Sequence, residues 1–67
     1  MNELDILNEA LYALERGKID EAYQLLDLCY SPYADRACEE LIKGQDDSAA
    51  IAASWVRTAI EDLEGNL

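Results

Sequence analysis

Leu4, Leu7, Leu11 and Leu14 recur at spacings of three and four, which places them on one stripe of an α-helix with Ala10 beside them. Asn2 stands where a helix N-cap belongs, and Glu3 and Asp5 fall in the first turn, where the helix dipole favours negative charge. A helix is therefore predicted over about 3–16, ended by Gly17, the residue that enters the left-handed region without strain. A second stripe of Ala22, Leu25, Leu26 and Cys29 predicts a helix over about 19–30 that begins at Ile19-Asp20-Glu21. A link of two or three residues makes this pair an antiparallel hairpin.

Pro32 forces Ser31 out of helical geometry, while Ser31 suits an N-cap and Pro32 suits the first helical position. One helix ends there and a third begins, over about 32–43, with Ala34, Ala37, Cys38, Leu41 and Ile42 inward and Gly44 closing it. Asp46 or Asp47 caps a fourth, over about 47–64, whose inner face carries Ala52, Trp55, Val56, Ala59, Ile60 and Leu63. Gly65 is expected to stop it before a frayed Asn66-Leu67 tail. The expected fold is all-α: one domain, residues 1–67, a compact bundle of four short helices arranged as two antiparallel hairpins.

A shift of 27 residues aligns Ala10 with Ala37, Leu14 with Leu41, Gly17 with Gly44, Asp20 with Asp47 and Ala22 with Ala49, and sets Arg16 on Lys43. These are packing, turn and capping positions, so the similarity follows from shared hairpin chemistry as readily as from a true repeat. Within the first hairpin, Leu14, Gly17, Ala22, Leu26 and Cys29 stand at intervals that resemble the turn and second helix of a tetratricopeptide repeat, over sixteen residues. That resemblance implies a helical binding groove.

Residues counted as hydrophobic make up 51% of the chain, too many for a disordered acidic tail, so the chain folds. At 67 residues it buries only ~60% of the surface its unfolded form exposes, and its stability is marginal. Fifteen acids against five bases give a formal charge of −10. Such a charge repels phosphate backbones and anionic lipids and favours basic surfaces, which argues against direct nucleic-acid binding. Glu3, Asp5 and Glu9 interrupt the N-terminal segment where a signal peptide needs a basic start and an apolar core. The longest stretch without charge, 48–56, is far short of the ~20 residues of a membrane span. A soluble, cytoplasmic protein is expected, with no membrane association and with Cys29 and Cys38 as reduced thiols.

The chain has no histidine, and hence neither the commonest general base nor the usual metal ligand. Glu39-Glu40, Asp46-Asp47 and Glu61-Asp62 read as solvated faces or caps rather than as an acid and base pair. Two thiols alone make no zinc site, and Asp46-Asp47 lacks the pattern of a calcium loop. No catalytic residue, cofactor or metal is expected, and the protein is not expected to be an enzyme.

Four tyrosines, Tyr12, Tyr23, Tyr30 and Tyr33, remain, a residue type enriched at interfaces, and Tyr30 and Tyr33 flank the proline turn. The leading expectation is a small inhibitor or adaptor that docks carboxylates onto a basic surface of a protein partner, such as a nucleic-acid-binding enzyme whose phosphate sites the acids would occupy. Its partner-binding residues are expected to be Glu39, Glu40, Asp46, Asp47, Glu61, Asp62, Glu64, Tyr30 and Tyr33. In size, acidity and helicity the chain is similar to phage-encoded inhibitors of host defence, anti-CRISPR proteins among them, and to DNA mimics. The second expectation is a self-associating structural or regulatory bundle, a homodimer paired across a two-fold axis.

Overall fold

The computed structural model describes residues 2–65, so the expectation for Asn66 and Leu67 lies outside the described residues. Four helices follow one another as α1 (Glu3–Glu15), α2 (Ile19–Leu26), α3 (Pro32–Lys43) and α4 (Ser48–Gly65). α1 packs on α2, α3 on α4, α1 on α4 and α2 on α3, so two hairpins close into a four-helix bundle. α2 has only eight residues, and two hairpins are too few to stack into a solenoid. The resemblance over 14–29 is therefore one of local packing, without the stacked groove it implies.

The starts and stops of the helices follow the sequence closely. Asn2 accepts the Asp5 N–H at 2.9 Å and caps α1. At its other end Gly17 has φ +75°, the Lys18 N–H reaches the Ala13 carbonyl at 2.9 Å, and the Gly17 N–H reaches that of Leu14 at 3.1 Å. This is the paired arrangement that satisfies the last carbonyls of a helix. Gly44, with φ +64°, closes α3 in the same left-handed conformation. Ser31 is extended, at φ −63° and ψ 135°, and its hydroxyl accepts the Tyr33 N–H at 3.2 Å, with Pro32 opening α3.

Three expectations are corrected. α2 ends at Leu26, not near 30. The Leu28 and Cys29 N–H groups turn to the Leu25 and Leu26 carbonyls in tighter three-residue steps, and the N–H groups of Tyr30 and Ser31 bond instead to the Glu3 side chain. Gly65 belongs to α4 and has no positive φ. Ile42, expected inward, is 70% exposed. At about 100° per residue it lies roughly 105° from the centre of the Ala34, Ala37 and Leu41 stripe, and Glu40 about 95° from it on the other side, the side that is buried.

The core consists of Leu7, Leu14, Leu26, Cys29, Leu41 and Val56 with eight alanines, among them Ala10, Ala22, Ala37 and Ala59. Small residues let the helices approach closely, but Leu7, Leu26 and Val56 are its largest fully buried side chains. Apolar area per residue is accordingly low, and each large side chain carries a large share of the stability. The positions paired by the shift of 27 residues share environments: Ala10 and Ala37 are buried, as are Leu14 and Leu41, and both glycines have positive φ.

Candidate protein-binding surface

Glu3 reaches from α1 to the connection between α2 and α3. Its Oε1 accepts the Tyr30 N–H and its Oε2 the Ser31 N–H, both at 3.2 Å. An acid expected to serve only the dipole of its own helix thus also satisfies the start of another. The lock holds Tyr30 in the connection, where its side chain is 92% exposed.

Tyr33 has a different fate. Its ring stacks on Trp55 of α4, with centroids 6.0 Å apart and planes 16° from parallel, and the Arg36 guanidinium lies 5.4 Å from the Trp55 centroid. Trp55 is half-buried rather than enclosed, and Tyr33 with Arg36 covers its face. The two tyrosines of the proline turn therefore differ: Tyr30 is free to meet a partner, while Tyr33 braces α3 against α4.

The acids divide in the same way. Glu39, Asp46, Asp47, Glu61, Asp62 and Glu64 are exposed. Glu40, expected on the same outer face, is only 9% exposed and pairs with Lys43 at 3.2 Å, because its helical position turns it toward the α3 packing stripe. Glu40 is thus nearly enclosed rather than on an open outer face. Asp46 and Asp47 occupy the connection before α4, where the Ile51 N–H bonds to the Asp47 carbonyl at 3.0 Å and Ser48 Oγ accepts the Gln45 N–H at 2.9 Å. Glu61, Asp62 and Glu64 stand in the last turns of α4, well along the chain from Glu39.

Few cations offset them. Among the described residues the ion pair is Lys43 with Glu40, while Arg16 lies over the Tyr12 ring, 5.1 Å from its centroid, and Arg36 lies over Trp55. The thirteen exposed acids have no cation within 4.0 Å among the described residues.

A surface not anticipated from the sequence lies between α1 and α2. There Glu9, Glu21, Gln24, Leu25 and Leu28 line an open groove of about 360 Å³. Leu28 is 62% exposed and leaves an apolar side chain open to the groove. A smaller groove of about 300 Å³, lined by Ile19, Leu41, Gln45 and Asp46 among others, lies where the two hairpin turns meet.

The cysteines sit inside. Cys29 is buried and its Sγ lies 3.7 Å from the Leu25 carbonyl; Cys38 is half-buried, and both are free thiols. Burial, helped by the Glu3 charge, pushes the Cys29 thiol up to about 11, and burial with Asp27 and Asp35 nearby raises Cys38 as well. Neither is set up as a nucleophile. Among the described residues no group of three or more acidic or cysteine side chains is placed to hold a metal ion, and no helix is long and apolar enough to cross a membrane. Comparison with protein-family models, with curated proteins and with solved structures brings no match.

Proposed function

We propose that the protein is a small acidic binding module, an inhibitor or adaptor that docks carboxylates onto a basic surface of a protein partner. The observation that supports this most is the set of thirteen exposed acids without cation partners, on a body whose five bases are partly taken up by Tyr12, Trp55 and Glu40. A surface of this kind accelerates encounter with a basic partner and contributes little to its own fold. A nucleic-acid-binding enzyme is a partner of suitable chemistry, since carboxylates can occupy the sites its lysines and arginines offer to phosphate. An anti-defence inhibitor would act in this way, in the cytoplasm, where Cys29 and Cys38 stay reduced.

The test is capture of partners from a cell extract on immobilised protein, with elution by a salt gradient. Basic partners released well below about 0.5 M salt, where charges are screened beyond ~4 Å, are the expected result. Partners held equally at low and high salt would refute electrostatic docking. The exposure of Ile42 and Tyr12 favours, as a second reading, pairing of two copies. Sedimentation across a concentration series decides it, and a strict monomer at the highest concentration removes it.

A further inference from the structure

We infer that the groove between α1 and α2 is the docking site for a basic segment that inserts one large aliphatic side chain between Glu9 and Glu21. The inference deepens the acidic-docking proposal and rests on it, because charge by itself selects no face of this protein. Residues 2–28 carry seven acids and two bases, and residues 29–65 carry eight acids and three bases, so both hairpins have a net charge of −5. What the first hairpin adds is a groove in which Leu25 and the exposed Leu28 stand beside Glu9 and Glu21, whereas the exposed Ile42 of the second hairpin does not line it.

Leu25 is half-buried and Leu28 is mostly exposed, and both line the groove together with Glu9 from α1 and Glu21 from α2. Glu21, Gln24 and Leu25 lie on α2, and Leu28, in the turn that follows it, lines the groove with them. On α1, Glu9 lines the groove, and the exposed Asp5 and Tyr12 precede and follow it at helical spacing. The bases of this hairpin, Arg16 and Lys18, lie at its turn, and Arg16 is held over Tyr12. Neither Glu9 nor Glu21 has a cation within 4.0 Å among the described residues.

A volume of about 360 Å³ is at the lower end of what encloses a small molecule, and this groove is open. It has room for an aliphatic side chain presented by a chain lying across the hairpin. An anionic lipid surface or a nucleic acid would set phosphates against Glu9 and Glu21. A segment with lysine or arginine on either side of a leucine or methionine would set cations there and cover Leu28.

The experiment follows backbone amide shifts of the labelled full chain titrated with two synthetic peptides, one of lysines around a single leucine and one of lysines alone. The leucine peptide is expected to bind more tightly and to shift Glu9, Glu21, Gln24, Leu25 and Leu28. Glu9→Gln with Glu21→Gln should weaken both peptides about tenfold. Leu28→Ser should bring the leucine peptide down to the all-lysine one, with an unchanged melting midpoint showing that the fold persists. Shifts centred on Glu39, Asp46, Asp47 or Glu61 would overturn the groove assignment and leave acidic docking standing, as would equal affinity for the two peptides. Absence of binding by either peptide at low salt would overturn both.

Discussion

Replacing Glu3 with alanine removes two hydrogen bonds that tie the first turn of α1 to the entrance of α3, 27 and 28 residues away in sequence. Hydrogen bonds to a charged acceptor are worth about 1.5–3 kcal/mol each. Two effects lower the net value here. Ordering a glutamate side chain costs up to about 2 kcal/mol, and water can reach the N–H of the exposed Tyr30 when the carboxylate is gone. The Ser31 N–H, in a buried residue, has less access to water. A loss of about 2 kcal/mol is expected for Glu3→Ala, and about 1 kcal/mol for Glu3→Gln, which keeps one accepting oxygen.

For 67 residues the whole stability is on the order of 3–10 kcal/mol. At about 4–8 °C per kcal/mol, the alanine variant should melt roughly 8–16 °C lower. Asp5→Ala is the matched control, since Asp5 stands exposed in the same first turn and its carboxylate makes no bond across the bundle. Losing its favourable place on the dipole costs about 0.3–1 kcal/mol. Thermal and urea unfolding followed by circular dichroism supply the comparison, and hydrogen exchange supplies the location: the Tyr30 and Ser31 amides should lose protection in Glu3→Ala before the rest of α3. If Glu3→Ala and Asp5→Ala agree within about 0.5 kcal/mol, or the two amides are unaffected, the lock carries no stability and the reasoning fails.

Leu26→Ala deletes one of the three largest fully buried side chains and should cost about 2–5 kcal/mol, enough to leave a partly unfolded population at 37 °C in a circular-dichroism melt. Gly17→Ala meets no atom within 4 Å, so its cost is conformational alone, about 1–2 kcal/mol for holding alanine at φ +75°, measurable as a lowered urea midpoint at unchanged slope. The Cys29 thiol, at about 11 against an ordinary 9, favours the folded state while it stays protonated. That contribution is complete below pH 9 and is lost as pH rises through 11, so the urea midpoint should fall over this range, and fall less in Cys29→Ala. Glu39→Lys should leave the melting midpoint within about 0.5 kcal/mol of the parent, whereas Glu40→Lys sets a second cation beside Lys43 in a nearly enclosed position and should cost about 3 kcal/mol.

Helix number, order and most boundaries were legible because the signals that set them are local. Asn2, Gly17, Ser31-Pro32 and Gly44 each act within four residues, and each stands where its backbone chemistry requires. The early end of α2 was not legible, because the group that takes up the Tyr30 and Ser31 N–H groups is Glu3, on the far side of a hairpin. Ile42 and Glu40 were misplaced for a related reason. Periodicity identifies a stripe but not its centre, and the centre of the α3 stripe is set by where Val56 and the α4 alanines approach it. An error of one position on the helix exchanges an inward isoleucine for an outward one.

The binding surface shows how far charge and spacing reach when no catalytic motif is present. Acids were counted from the sequence, but their standing depends on what lies beside them: Glu3 bonds to backbone, Glu40 to Lys43, and Glu9 and Glu21 line a groove with no cation within 4.0 Å among the described residues. Leu28 lay off the Ala22, Leu26 and Cys29 stripe and carried no signal by itself. Leu28 follows α2 in the connection that Glu3 holds, open beside two carboxylates. The Glu3 contact thus fixes the segment that presents the apolar half of the groove. Glu3→Ala should therefore weaken the leucine peptide more than the all-lysine peptide, by loosening the connection that presents Leu28. Equal weakening of the two would mean that Glu3 acts only through its charge.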